Sequence, residues 1–196
     1  MTTEAPPTPR KGLLGSWDRL VGPGMTWGET LLVISASALG SLFAGVLMAS
    51  SGASRLAVGV AALIGFDVIG GAVCNGTRAT RAWYHRPGQT WVKHLGFVAP
   101  HLAYVAAVAA FLRGPRFDAP YALVFGVGLI VAASSILCAP IRLKTPVAFA
   151  GFLAVLCAVT IGVGPTPAMG WFEPALLLKL LVGHLAPDHL PPAAET

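Results

Sequence analysis

Charged residues are scarce in this sequence. They make up 11% of its 196 residues, whereas an ordinary soluble domain has about 25%. Apolar residues make up 55%, and the mean hydropathy is +0.72. A chain with so few charges cannot cover itself with a charged surface, so its composition excludes an ordinary soluble domain and predicts an integral membrane protein whose main partner is the lipid bilayer.

Cysteine is also rare, and familiar catalytic motifs are missing. The three cysteines, Cys74, Cys138 and Cys157, lie in or beside apolar runs without C-x-x-C spacing, which argues against a disulfide framework. The sequence contains no H-E-x-x-H, Walker or G-x-S-x-G motif of the kinds that hold metals, phosphates or acyl groups. No motif therefore assigns a metal or a cofactor, and both stay unknown.

Five apolar runs are long enough to cross a bilayer, which takes about 20 residues. They cover approximately residues 30–50, 56–74, 92–112, 121–138 and 147–163. A further run at 171–185 is shorter and contains Glu173, Lys179 and His184. It is a sixth crossing, a half-helix or an interfacial helix, and we favour the first. The sequence thus predicts an all-α polytopic bundle of five or six transmembrane helices.

The two ends of the chain differ from this bundle. Residues 1–10 contain three prolines and three threonines, which predicts a disordered cytoplasmic tail. Residues 11–27 have apolar positions at helical spacing and the aromatic anchors Trp17 and Trp27, as in a short amphipathic helix at the membrane interface. The bundle then occupies residues 28–186, and the proline-rich residues 187–196 are expected to form a flexible tail.

The distribution of basic residues predicts the orientation. Counted by loop, nine Lys and Arg lie on the side of the N-terminus and three on the opposite side. The positive-inside rule then places the N-terminus in the cytoplasm, in a plasma or inner membrane. Since topology accounts for the net charge of +5, we expect no nucleic-acid partner.

Asp67 is the most informative residue, because it lies inside the second apolar run. An ionised carboxylate there costs at least ~2.5 kcal/mol, so it needs a partner or keeps its proton. His101 and Tyr104 share one face of the third run. We predict Asp67, His101 and Tyr104 as catalytic residues, with Asp67 as the acid or base. The alternative is a purely structural hydrogen bond.

A second group of polar residues follows Asp67. If the second helix continues to Tyr84, one of its faces carries Asp67, Gly71, Cys74, Arg78, Arg81 and His85. Arginine binds phosphate and carboxylate groups in bidentate fashion, so these arginines are candidates to bind a lipid headgroup or another anion. The alternative is that the arginines only set the topology of the chain and that the aromatic residues between them anchor it at the membrane interface. Of the histidines, His101 is best placed to bind a metal or haem, but the spacing matches no familiar ligand set. The predicted ligand-binding residues are Asn75, Arg78, Arg81, Tyr84, His85, Arg86 and His94.

Three functions remain open from the sequence. The first is binding of a lipid-soluble or anionic amphiphilic ligand at the cytoplasmic half of spans two and three, with catalysis left undecided. The second is a proton-coupled transporter or channel that uses the same residues. The third is a structural or accessory subunit. Ser37, Ser41 and Gly45 form a stripe of small residues that lets another helix approach closely, and this stripe is a candidate homo-oligomer contact.

Overall fold

A computed structural model describes residues 8–187, and all regular structure in that range is helical. Most of the two predicted tails, at residues 1–10 and 187–196, lies outside the described residues. Short 3₁₀ turns cover Ala99–His101 and Ile141–Leu143, and a π-helix, Leu178–Leu185, directly follows the last α-helix. The α-helices are α1 Gly12–Val21, α2 Trp27–Ser50, α3 Arg55–Asn75, α4 Arg78–Tyr84, α5 Trp91–Val98, α6 Leu102–Phe111, α7 Ala119–Cys138, α8 Lys144–Gly162 and α9 Phe172–Leu177.

Five helical segments are long and apolar enough to cross a membrane. They are Trp27–Ser50, Arg55–Asn75, Trp91–Phe111, Ala119–Cys138 and Ile141–Gly162. The prediction of an all-α polytopic bundle is therefore confirmed, and the protein is a multi-pass membrane protein by its fold. The type of membrane and the side of the N-terminus stay predictions.

Short connections reverse the chain between these spans and give the bundle two distinct ends. Residues 51–54, 112–118 and 163–171 lie at one end, which we call the far end. Helices α1 and α4 and residues 139–143 lie at the opposite end, which we call the α1 end. The last segment, α9 with the π-helix, then runs from the far end back to the α1 end.

This last segment lies inside the bundle. Leu176, Leu177, Leu180 and Leu181 have no exposed surface, and the segment packs against α3, α7 and α8. Its helical part has 14 residues, about 21 Å at 1.5 Å per residue, which is short for a hydrocarbon core of about 30 Å. We therefore describe it as a buried half-helix rather than the full sixth crossing that we favour from the sequence.

The second span ends where the sequence predicts, but its helix does not continue to Tyr84. Helix α3 stops at Asn75, and Thr77 is the N-cap of α4. The Thr77 hydroxyl donates to the Cys74 carbonyl over 2.8 Å and accepts the Thr80 N–H over 3.3 Å. Such side-chain bonds compete with helix continuation. The prediction of one helical face from Asp67 to His85 is therefore wrong.

Helix α1 is fastened to α4 by its own carbonyl groups. The last carbonyls of a helix lack partners within it. Here Trp83 Nε1 donates to the Arg19 carbonyl over 3.1 Å, and the Tyr84 hydroxyl donates to the Leu20 carbonyl over 2.9 Å. The Thr80 hydroxyl donates to the Val21 carbonyl. The predicted N-terminal helix is thus present, while its position at a membrane interface stays a prediction.

The start of α1 is held by an ion pair. Arg10 Nη2 lies 2.6 Å from Asp18 Oδ1, and the Arg10 backbone N–H donates to Asp18 Oδ2 over 2.8 Å. These hydrogen bonds, reinforced by the positive charge of Arg10, lower the pKa of Asp18 to about 2. The pair keeps Asp18 ionised throughout the neutral range, so α1 stays anchored at both of its ends.

Helices α2 and α3 cross at glycines. A methyl group at Gly40 would lie 2.5 Å from the Gly65 carbonyl oxygen, so the two backbones are in direct contact. The stripe predicted from the sequence lies on the same face: Ser37 packs against Gly70, and Gly45 packs against Ala62. The stripe therefore serves helix packing within the chain, and its use by a second copy of the chain stays a prediction.

Candidate functional site

Asp67 forms an ion pair with Lys179 in the middle of the bundle. Lys179 Nζ lies 2.5 Å from Asp67 Oδ2 and donates to the Asp67 backbone carbonyl over 3.2 Å. The Lys179 side chain is 4% exposed and that of Asp67 is 40% exposed. Lys179 reaches Asp67 across Gly71, where a methyl group would overlap Lys179 Cε and Nζ. The pair satisfies the requirement that a charge inside a membrane has an opposite charge beside it.

His101 and Tyr104 join this pair. His101 Nε2 lies 3.8 Å from Asp67 Oδ2, the His101 and Tyr104 rings are 5.7 Å apart, and Tyr104 interacts electrostatically with Asp67. Pro100 lies in the 3₁₀ turn that interrupts this span, and His101 Nδ1 donates to the Phe97 carbonyl over 2.9 Å. The three residues predicted as catalytic are therefore neighbours, and their catalytic role stays a prediction.

Lys179 is the member of the site that sequence reasoning missed. It lies in the short run at 171–185, for which the sequence allows three placements, so the sequence assigns this lysine no partner. The signal was nevertheless available, because an acid inside one span calls for a cation inside another, and Lys179 is the lysine surrounded by leucines. Asn75, a predicted ligand-binding residue, contacts the backbone of this lysine: its Nδ2 donates to the Lys179 carbonyl over 2.9 Å.

A cavity of about 220 Å³ opens beside the ion pair. Its walls are apolar side chains from α1, α2, α3 and α5, and Asp67, His101 and Lys179 form its polar end. Two of the lining residues, Ile34 and Phe66, are each 51% exposed, so this wall reaches the outer surface of the bundle. Asp67 lies eight residues before the end of α3, about 12 Å along the helix axis. The cavity thus connects the ion pair with the side of the bundle that faces lipid.

Comparison with protein-family models, with curated proteins and with solved structures finds no match for this chain. The chemistry of the cavity and of its ion pair is therefore the ground on which a function is argued.

Four residues form a second cluster at the α1 end. Three of them, Tyr84, His85 and His94, are predicted ligand-binding residues, and the fourth is His184. His94 Nδ1 lies 3.3 Å from His184 Nε2, the His85 ring is 5.3 Å from the His94 ring, and the Tyr84 ring is 5.0 Å from the His184 ring. Phe97 stacks on His184 at 3.9 Å and separates this cluster from His101. Among residues 8–187 no group of three or more His, Cys, Asp and Glu is arranged to hold a metal ion.

The three predicted arginines are not brought together at the cavity. Arg78 is exposed, Arg81 donates to the Ala186 carbonyl over 3.1 Å, and the Arg86 guanidinium lies over the Trp83 ring at 3.3 Å. None of these arginines lines the cavity. That these arginines bind an anionic headgroup stays a prediction, and such a headgroup would lie at the α1 end and not in the cavity.

A further polar cluster at the far end ties the last segment to the bundle. Glu173 accepts hydrogen bonds from Thr166 over 2.7 Å and from Tyr121 over 3.0 Å. Arg113 pairs with Asp118 at 2.7 Å and donates to the backbone carbonyls of residues 163 and 164. The hydrogen bond from Arg113 Nε lowers the pKa of Asp118. These contacts join the start of α9 to α7 and to Thr166.

Proposed function

We propose that the protein binds a lipid-soluble amphiphile in the cavity, with the polar head of the ligand at Asp67 and His101 and its apolar chain directed towards the lipid. The observation that carries this proposal is an ion pair at the inner end of an apolar cavity whose outer wall lies on the surface of the bundle. A lipid-soluble molecule reaches such a site from the bilayer without passing through water.

The cost of the ion pair supports a role beyond stability. Replacing a buried ion pair by apolar residues of similar volume is often neutral or stabilising, so packing alone does not require Asp67 and Lys179. Asp67 is moreover 40% exposed although Lys179 is 4% exposed. The carboxylate is therefore the part of the pair that a ligand in the cavity meets.

The size of the cavity limits what enters it. Its volume of about 220 Å³ is below the ~300–1,000 Å³ that is usual for sites enclosing a whole drug-sized molecule. It accommodates a headgroup and the first part of a chain, while the rest of the chain extends past Ile34 and Phe66. If the protein acts on this ligand, we assign the proton transfer to Asp67, with His101 as the neighbouring group that exchanges a proton with it.

Filling the mouth of the cavity tests this proposal. Ile34→Trp places a large side chain in the lining and is expected to lower the occupancy of single-chain amphiphiles about tenfold, the effect of about 1.4 kcal/mol in binding. The measurement is native mass spectrometry of the protein purified from membranes, before and after titration with added amphiphile. Leu39→Trp is the matched control, because Leu39 is 65% exposed on the same helix and lies outside the lining. Equal occupancy in both variants would contradict the proposal.

Proton transfer across the bundle is a second candidate, favoured by the imidazoles of His85, His94 and His184, which lead from the α1 end towards the cavity. Phe97 interrupts the path, so water would have to pass this ring. In proteoliposomes with an imposed pH gradient, a proton-conducting protein is expected to lose about tenfold or more of its flux in Asp67→Asn, because the membrane-embedded acid is the relay. His85→Gln, at the entrance, should have a smaller effect. Flux that Asp67→Asn leaves unchanged would eliminate this candidate.

A further inference from the structure

We infer that the ligand head is uncharged and donates a hydrogen bond, as the hydroxyl group of a long-chain alcohol or phenol does. This inference rests on the proposed binding function and specifies the chemical class of its ligand. It departs from the anionic amphiphile considered from the sequence, and it follows from the charges and from the donors and acceptors at the polar end of the cavity.

The charges at this end cancel. Asp67 and Lys179 are the charged residues among those that line the cavity, and they already neutralise each other at 2.5 Å. An anionic head would have to compete with Asp67 for Lys179, and a cationic head would have to compete with Lys179 for Asp67. Since a charge taken into an apolar site without its own partner is costly, the site favours a neutral head.

The acceptors at this end can be assigned. A carbonyl oxygen accepts hydrogen bonds only, so the contact of His101 Nδ1 with the Phe97 carbonyl places the proton of the ring on Nδ1. A second positive charge would add to that of Lys179 with one carboxylate to balance both, so His101 is neutral and its Nε2 is an acceptor. Asp67 contributes its oxygens as further acceptors, and each carboxylate oxygen can accept more than one hydrogen bond.

The donors around the ion pair, by contrast, are covered or already engaged within the protein. The Lys179 ammonium faces Asp67 and is 4% exposed. Asn75 uses its amide N–H on the Lys179 carbonyl, and Ser37, Cys74 and Asn75 are each at most 8% exposed. A ligand head therefore meets acceptors at Asp67 and His101, and it satisfies them by donating. A hydroxyl does so, whereas an ether or an ester oxygen does not.

A set of ligands with one chain and different heads tests this inference. The wild-type protein in detergent is titrated with 1-dodecanol, its methyl ether, dodecanoate and dodecylammonium, and the occupancy of each is read by native mass spectrometry. We expect dodecanol to bind about tenfold more tightly than the ether, as is typical when a polar group in a site loses its partner, and also more tightly than either charged ligand. Equal binding of the ether or of a charged ligand would overturn the head assignment while leaving the cavity function intact. Binding by none of the four would overturn the proposed function itself.

A variant that changes its preference among the four ligands provides a second test. Asp67→Asn keeps the shape of the side chain but removes the charge that neutralises Lys179, so we expect dodecanoate to overtake dodecanol in this variant. Glu173→Gln is the control, because Glu173 lies in the far-end cluster, and it should keep the preference for the alcohol. A purely structural role of Asp67 predicts equal losses for all four ligands, and that result would also overturn the inference.

Discussion

Asp67→Leu is expected to destabilise the protein by about 3–5 kcal/mol, because Lys179 is then left in the apolar interior without its counter-charge. Lys179→Met should cost less, since the Asp67 side chain is 40% exposed towards the cavity, so its charge is not left fully buried. The double variant is expected to recover most of the stability, because an ion pair replaced as a whole by apolar side chains leaves no charge behind. The measurement is unfolding by SDS titration in mixed micelles for all four proteins of the cycle.

The result has a clear control within the chain. The Lys93 side chain is exposed, and its Nζ donates to the Gly88 carbonyl over 3.0 Å, so its removal leaves no buried charge without a partner. Lys93→Ala should therefore leave the SDS midpoint almost unchanged. If the double variant at residues 67 and 179 proves as unstable as the single variants, the loss does not come from an unpaired charge, and the account of the site given above is wrong.

Gly65→Ala is expected to destabilise the bundle by about 1–3 kcal/mol, the usual cost of overpacking a tight contact. A methyl group at Gly65 would overlap the Gly40 carbonyl oxygen and lie 2.7 Å from Ala44 Cβ, so α2 and α3 would have to move apart. Gly40→Ala should act in the same direction for the same reason. SDS unfolding again gives the stability, and an intrachain crosslink between α2 and α3 reports their separation.

Gly59→Ala is the matched control for this prediction. It lies on the same helix, and a methyl group there meets nothing within 4 Å. Alanine is the better helix former by about 1 kcal/mol, so the variant should be neutral or slightly more stable. Equal effects of Gly59→Ala and Gly65→Ala would show that helix propensity, rather than the contact with Gly40, determines the outcome.

The sequence pattern predicts part of the site, namely the contact of Asp67 with His101 and Tyr104. Asp67 stands out because a carboxylate inside an apolar run is costly, and His101 and Tyr104 stand out because their spacing places them on one face of the next span. Neighbouring antiparallel spans then make contact between these residues a natural expectation. The same reasoning failed beyond Asn75, since Gly76 and the Thr77 cap end the helix by local hydrogen bonds that the hydrophobic pattern does not report.

Lys179 shows the limit of reading each segment alone. Its run is short and polar enough to fit three placements, so the hydrophobic pattern does not assign its charge to the interior of the bundle. Once the half-helix is packed inside the bundle, Gly71 leaves a passage for the lysine and Asp67 supplies the opposite charge. Both conditions depend on which helix lies beside which.

The sequence by itself determined the all-α membrane bundle and its five spans, because the length and apolar composition of a span follow from the thickness of the bilayer. It also determined that Asp67 needs a partner or keeps its proton. The tertiary structure alone decided that the partner is Lys179, that the arginines lie away from the cavity, and that the cavity reaches the lipid-facing surface. These are contacts between residues that are far apart in the chain, and helix packing, rather than any local pattern, brings them together.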